Sequence, residues 1–271
     1  MIDYKQAQRL LTGHARSLGM NRRPGIALLT TGDEVVPAAD TPTGVQIRNS
    51  NRWLIDATLQ KNGFSLSACD HSTDDPMLLK TKIASLLSHD VLILCGGVSA
   101  GDADHVPAAL ESLGVTKLFY KVAIKPGKPT WCGIIDHLAS PEARPVREKT
   151  SVPEVAPGGE PRRTIVFALP GNPLACLVNL ILLIQPYLRA CQGLRPTEPL
   201  GLPMGASRKK RPALDEFFPV YWHGSPARVV PVSINGSGDI RLGMQANALA
   251  LHPAGCDHLA IGTPVLCYSF I

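Results

Sequence analysis

The sequence predicts an α/β protein: a three-layer, mostly parallel sheet with helices on both faces, followed by a small all-β domain. Three observations predict it. Short apolar runs that end in turn residues alternate with stretches whose apolar residues recur at helical spacing, the pattern of a parallel sheet covered on both faces. A Pro/Gly-rich linker, GLRPTEPLGLPMG (193–205), ends that alternation. Beyond it come only short β-rich stretches such as EFFPVYW, ARVVPVSI and TPVLCYSF. The expected division is an α/β domain over 1–193 and a small, β-barrel-like domain over 194–271.

Each element follows in order. After a polar, helical lead, GIALLTT (25–31) is a buried strand. Asn49-Ser50-Asn51 caps a helix carrying Leu54, Ala57 and Thr58 on one face, and Gly63 stops it. FSLSAC (64–69) is the next strand. Asp74 or Asp75 caps a helix with Pro76 in its first turn and Leu79, Ile83 and Leu86 on one face. DVLILC (90–95) is a strand buried on both sides, followed by a helix near Val106–Leu113 and strands around Val115–Ala123 and Thr130–Ile135. Residues 138–163 are Pro- and charge-rich without periodicity, so they read as a loop insertion between two strands. Thr164–Ala168 is a strand, and LPGNP (169–173) turns it into a helix starting near Pro173. In that turn both prolines fix φ, Gly171 is free to take positive φ and Asn172 is a good N-cap.

Composition narrows the function classes. Of 271 residues, 45% are hydrophobic and 18% charged, a globular balance with a net charge of +5. Arg208-Lys209-Lys210-Arg211 supplies four of the positive charges, but few aromatics interleave with basic residues, so a solvated loop is expected and no nucleic-acid partner. Seven scattered cysteines without a C-x-x-C pair argue against a disulfide framework or structural zinc and fit a reducing, cytoplasmic compartment. The N-terminus has no apolar signal core, and the apolar run Leu174–Ile184 is too short to cross a bilayer, so a soluble chain without a membrane partner is expected.

In doubly covered parallel sheets ligands bind outside the carboxyl ends of the strands. Here those ends carry TTGDE, CGGVSAGDAD, IKPGKP and LPGNP, four loops that should converge on one edge. The second loop offers backbone N–H groups at Gly96 and Gly97, the Ser99 hydroxyl, and carboxylates at Asp102 and Asp104. The third offers Lys121, Lys125 and Lys128 on a proline-stiffened chain. Lysines and open glycine backbone suit phosphate, and clustered carboxylates suit a hard cation such as Mg²⁺. Helix capping is the competing reading of each aspartate. It is preferred for Asp75 and left open for Asp74, while Glu34 and Asp104 are read as functional.

The word order TTGDEVV, an Asn-capped helix, DD-P, CGGVSAGDADH, KVAIKPGKP and LPGNP resembles the molybdopterin molybdenumtransferases, the family of MoeA and the gephyrin E domain. The resemblance runs from about Gly25 to Gly193 and continues weakly through GSGDIRLGMQANALAL. It implies a MogA-like, molybdopterin-binding fold and insertion of molybdate into adenylylated molybdopterin, with release of AMP and a requirement for Mg²⁺. It places catalytic and metal-holding carboxylates at Glu34, Asp74 and Asp104. Substrate-binding positions fall on Gly96, Gly97, Ser99, Lys121, Lys125, Lys128, Pro170, Gly171, Asn172, Pro173 and Ser237.

Two departures accompany it. Family members carry N-terminal segments ahead of the TGDE strand, where this sequence has about 24 residues, so a homodimer or a partner supplying those segments is expected. The family's C-terminal arginine has no counterpart near Pro219. Two alternatives therefore stand beside the transferase: a binding or scaffold module that keeps the pocket without turnover, and an adenylyltransferase, against which Lys125 and Lys128 of KPGKP argue.

Overall fold

The computed structural model describes residues 1–17, 23–98, 105–137, 162–234 and 245–270. The first half runs α1 (Tyr4–Ser17), β1 (Ile26–Thr31), β2 (Val35–Val36), β3 (Ile47–Arg48), α2 (Ser50–Lys61), β4 (Leu66–Ser72), α3 (Pro76–Leu86) and β5 (Val91–Cys95). It continues through α4 (His105–Ser112), β6 (Thr116–Tyr120), β7 (Ile124–Lys125), β8 (Trp131–His137) and β9 (Arg162–Leu169). Then α5 (Pro173–Asn179) passes through a π-helical segment, Leu180–Ile184, into α6 (Gln185–Cys191).

Six strands form the main sheet in the order β4-β1-β5-β9-β8-β6. All run parallel except β8, which is antiparallel to both neighbours. β1 and β5 are buried along their whole length, which is why their sequences read as continuous apolar runs. Strand alternation then sorts the side chains onto two faces. Ile26, Leu28, Ile93 and Phe167 pack with Leu11 of α1, Ile55 of α2 and the helix after LPGNP. Ala27, Leu29, Leu92, Leu94 and Val166 pack with Leu79 and Ile83 of α3 and Val106 and Leu110 of α4. These are the three layers the alternation predicted.

The capping chemistry is local. Asn49 accepts a hydrogen bond from Arg52 N at 3.2 Å to start α2, and Asp75 accepts from Leu78 N at 2.7 Å to start α3 with Pro76 in its first turn. Asp74 is therefore released from capping. The apolar helix is longer than the run expected from sequence: Pro173–Cys191 spans 19 residues and is long and apolar enough to cross a membrane, yet its apolar window is 89% buried inside the fold. Burial, and not length, identifies it as the core helix. Of the expected 138–163 insertion, Arg162 and Arg163 already belong to β9, and residues 138–161 lie outside the described ones.

The second half contains β10 (Leu200–Pro203), β11 (Arg208–Lys209), β12 (Asp215–His223), β13 (Arg228–Pro231), β14 (Ala248–His252), β15 (His258–Leu259) and β16 (Pro264–Ser269). Five of them form a sheet in the order β10-β16-β14-β12-β13, and a Met204–Val229 bridge joins its two outer strands. Its interior holds Leu202, Met204, Val220, Val229 and Ala250. This strand-rich region is tied to the first half. β7 pairs in parallel with β12, and the Tyr4 ring of α1 meets the Phe217 ring edge-on at 5.3 Å.

In the basic run 208–211, Lys209, Lys210 and Arg211 are exposed as expected, and Arg208 departs from that expectation. Strand alternation brings the head groups of Arg208 and Lys210 onto Glu216, which is 6% exposed, with Arg208 Nη2 at 3.0 Å from Oε1 and Lys210 Nζ bonded to the same oxygen. The Arg208 guanidinium also stacks on Phe218 at 4.2 Å. Burial alone would raise the Glu216 pKa, but the Lys210 hydrogen bond and the Arg208, Lys210 and Lys125 charges outweigh it and hold the carboxyl below its ordinary value. For the neighbouring His252, burial and the Arg208 and Lys210 charges lower the pKa against the opposing pull of Glu216 and a backbone bond.

Candidate functional site

At the carboxyl edge of the main sheet lies a cavity of about 830 Å³, within the size range of small-molecule sites. Its floor is the ends of β1 and β5, Thr30, Thr31, Cys95, Gly96 and Gly97. One wall is Glu34, Val35, Ile47 and Arg48 around the β2–β3 pair, and another is the start of α2 with Asn49 and Asn51. Asp74 and the Gly171-Asn172-Pro173 turn complete it.

Each wall is held by a specific local device. Gly32 takes φ 131°, and a Cβ there would lie 2.8 Å from Glu34 Oε2, so the glycine lets the Glu34 carboxylate fold back over the chain. The Glu34 carbonyl accepts from Ile47 N at 2.8 Å, fixing the loop while the carboxylate stays exposed. Asp33 and Asp74 clasp the two loops reciprocally: Asp74 N donates to Asp33 Oδ1 at 2.9 Å and Asp33 N to Asp74 Oδ2 at 3.4 Å. Among the described residues neither Glu34 nor Asp74 has a cationic partner.

The structure gathers Glu34, Asp74, Gly96, Gly97, Gly171, Asn172 and Pro173 around one cavity. Pro170 is buried just behind it, where its carbonyl accepts from Cys176 Sγ at 3.0 Å. Ser99, Asp104 and Ser237 lie outside the described residues.

Three details differ from the sequence reading. Gly96 N donates to Leu169 O at 3.0 Å, so that amide continues the β5–β9 ladder and is not open to an anion. What Gly96 contributes is space: with φ 110°, a Cβ there would lie 2.4 Å from Thr31 Oγ1. The LPGNP turn is also less of an anion cradle than its helix N-terminus suggested. Ala175 N is taken by the Asn172 side chain at 3.2 Å and Cys176 N by the Asn172 carbonyl at 2.9 Å, and Pro173 has no N–H. Gly171 does not take positive φ, and a Cβ there would meet only Gly96 Cα at an ordinary 3.7 Å.

The third difference concerns the lysines. Because β8 runs antiparallel, Tyr120 at the end of β6 and Trp131 at the start of β8 lie level with Ala168 of β9. Residues 121–130 therefore reach the same sheet edge, as expected. None of Lys121, Lys125 and Lys128 lines the cavity, however. Lys125 is drawn aside by the pairing of β7 with β12, and Lys121 sits over the Tyr120 ring at 5.0 Å. The loop is held from below by Asn179, fully buried in the apolar helix, whose Oδ1 accepts from Thr130 Oγ1 at 2.8 Å. That explains the single polar residue inside an otherwise apolar run.

Sequence reasoning missed Thr31 and Asn51 as cavity residues, since each reads as part of a strand end or a cap cluster. It also missed Arg48, the one cation among the described lining residues. Beneath the floor Cys95 Sγ lies 3.3 Å from Cys176 Sγ, and that contact together with burial pushes the Cys176 thiol well above its usual range. No group of three His, Cys, Asp or Glu side chains converges among the described residues.

Residues 27–190 match a family model described as a probable molybdopterin binding domain. The chain is 34% identical over 262 residues to a molybdopterin molybdenumtransferase of Synechococcus elongatus, an alignment covering 93% of this chain and 58% of the relative. It is 33% identical over 162 residues to the enzyme of that name from a Synechocystis strain, covering 59% of this chain and 35% of the relative. A crystal structure of a molybdopterin biosynthesis MoeA protein from Pyrococcus horikoshii superposes with a TM-score of 0.69 at 26% identity, covering 92% of this chain and 55% of that one. The chain thus spans only part of the length of these relatives. With the model match extending over the sheet edge that forms the cavity, the chain belongs to the molybdopterin-binding domain family.

Proposed function

We propose that this chain acts in molybdenum cofactor biosynthesis, holding molybdopterin or its adenylylated form in the cavity for insertion of molybdate and release of AMP. The observation that carries this reading is the 830 Å³ cavity at the carboxyl edge, lined by two carboxylates that have no cationic partner among the described residues. Glu34 and Asp74 fit Mg²⁺, which keeps most of its waters and takes only one or two protein carboxylates alongside substrate phosphate. Bound there, Mg²⁺ would neutralise the ligand's phosphate charge.

The chain's own residues account for the rest. Asn172 and the turn prolines hold one wall rigid, and Gly96, Gly97 and Gly171 keep it free of side chains. Lys121, Lys125 and Lys128, on the same edge, are assigned to the ligand's phosphate or to the molybdate oxyanion, and Asp104, Ser99 and Ser237, which lie outside the described residues, are retained as site residues on sequence grounds alone. A second chain, either a copy in a homodimer or a separate partner, is proposed to close the open side and exclude water. The cytoplasm is the proposed compartment.

One observation favours a second reading, a binding module without turnover: among the described residues no lysine lines the cavity. A single experiment separates the two. The purified chain is titrated calorimetrically with molybdopterin and assayed for molybdate- and Mg²⁺-dependent AMP release from the adenylylated form. Binding with AMP release supports the transferase, binding without release supports the module, and absence of binding rejects both.

A further inference from the structure

We infer that Asn51 and Thr31 select the ligand in this cavity, through an exocyclic amine on the edge of a planar nitrogen heterocycle. The inference rests on the reading of the cavity as the ligand site and adds which chemistry that site recognises. Asn51 Nδ2 donates to the Gly171 carbonyl at 2.6 Å. A carbonyl only accepts, so this contact fixes the amide orientation and leaves Oδ1 as an acceptor. That Oδ1 is buried and has no hydrogen-bond partner, and the same is true of the Thr31 hydroxyl, whose residue is 5% exposed. Both residues line the same cavity.

Neither group is needed by the fold. The N-cap of α2 is Asn49, not Asn51. Next to Thr31 on β1, Thr30 is fully engaged: its hydroxyl accepts from Asn49 Nδ2 at 2.8 Å and contacts His71 Nδ1 at 3.0 Å. Both threonines line the cavity, and they differ in that the Thr31 hydroxyl, buried against Gly96 at its floor, has no partner among the described residues. Buried polar groups are satisfied in nearly all native structures, so the missing partners belong to what fills the space.

The chemistry of that partner follows. Asn51 Oδ1 is a neutral acceptor and requires a donor, while a hydroxyl serves either role. The carboxylates stand on a different wall, at Glu34 and Asp74, and take the charged end of the ligand with its cation. Gly96, Gly97 and Gly171 leave a stretch of wall without side chains, suited to a flat ring. An amino-bearing heterocycle answers all three features. The adenine 6-amino edge and the pterin 2-amino edge share this chemistry, and the test distinguishes them.

Affinities for two pairs of probes are measured with Mg²⁺ present: AMP against IMP, and 6-hydroxymethylpterin against 6-hydroxymethyllumazine. Each pair exchanges an exocyclic amine for a carbonyl. The expected result is that one pair is discriminated by about tenfold or more, because a site built to hydrogen-bond a donor rejects the analogue lacking it. Which pair shows the ratio identifies the ring held by Asn51. Asn51→Leu should bring the ratio to about one, Thr31→Val should weaken both members together, and Thr31→Ser should restore them. Melting curves check each fold, and Asn51→Ser replaces the leucine variant if that one melts early. Equal binding within both pairs, or a ratio that survives loss of Asn51, overturns the inference while leaving the ligand site intact. Failure of all four probes to bind the unaltered chain overturns the inference together with the reading beneath it.

Discussion

Two regions of this molecule carry carboxylates on strand-bordering segments, and they treat them in opposite ways. In the β-rich region Glu216 is buried against Arg208 and Lys210, with Lys125 contributing from the paired strand β7. At the sheet edge Glu34 is held through its backbone and Asp74 through its reciprocal contacts with Asp33, and neither has a cation of its own among the described residues. A buried charge that brings its counter-ions belongs to the fold, because removing one partner strands the others. A carboxylate positioned by backbone contacts and left without a counter-ion beside a cavity belongs to whatever enters it. The contrast explains how acidic residues of one chain divide between structure and function.

The comparison can be broken by substitution. The largest stability loss is expected for Gly96→Ala, about 3–5 kcal/mol, since a Cβ would overlap Thr31 Oγ1 and the residue sits at φ 110°. Denaturant unfolding measures it, and a loss below about 1 kcal/mol would show that the floor of the cavity is not tightly built. Glu216→Gln should cost about 3 kcal/mol by leaving Arg208 and Lys210 without a full counter-charge. If stability is unchanged, Glu216 is not the structural member of the comparison.

Acid gives a graded version of the same test. The folded pKa of His252 lies below its ordinary 6.5, so protonation favours the unfolded chain and stability falls as pH drops below that value. The folded pKa of Glu216 lies below its ordinary 4.5, so its contribution is present above that pH and is lost on further acidification through the folded pKa. Melting temperature against pH should decline in these two stages, and Glu216→Gln should flatten the second. At the other end of the scale, Gly171→Ala should change stability by less than about 1 kcal/mol, because a Cβ there meets only Gly96 Cα at 3.7 Å. It should nevertheless weaken pterin binding, because it adds a side chain to a cavity wall. Normal binding would show that this wall does not face the ligand.

Much of the fold was legible in the sequence because its signals are local. Continuous apolar runs marked β1 and β5, Asn49 and Asp75 announced helices through their own side chains, and Gly, Pro and charge marked the loops at the strand ends. The rest depends on residues far apart in the chain. Lys125 leaves the cavity because Ile124 and Lys125 pair with Asp215 and Glu216, and nothing in KPGKP announces that strand. Arg208 and Lys210 look like solvated charges until alternation brings both head groups onto Glu216. Gly96 looks like an open amide until the β5–β9 ladder uses it, and Thr31 is distinguished from Thr30 only by which of them finds partners. Residue types reveal which loops carry chemistry, while hydrogen-bond satisfaction reveals which atoms remain available.

The central claim is that Glu34 and Asp74 are held for a ligand and its cation, and one measurement tests it most directly. Molybdopterin is titrated into the intact chain and into the Glu34→Gln, Asp74→Asn double variant, each with and without Mg²⁺, after melting curves establish the stability of both. The account predicts that the two proteins melt within about 1 kcal/mol of each other, and that Mg²⁺ strengthens binding to the intact chain by about tenfold or more but not to the variant. A variant that keeps the full Mg²⁺-dependent affinity, or one that loses its fold, would contradict it.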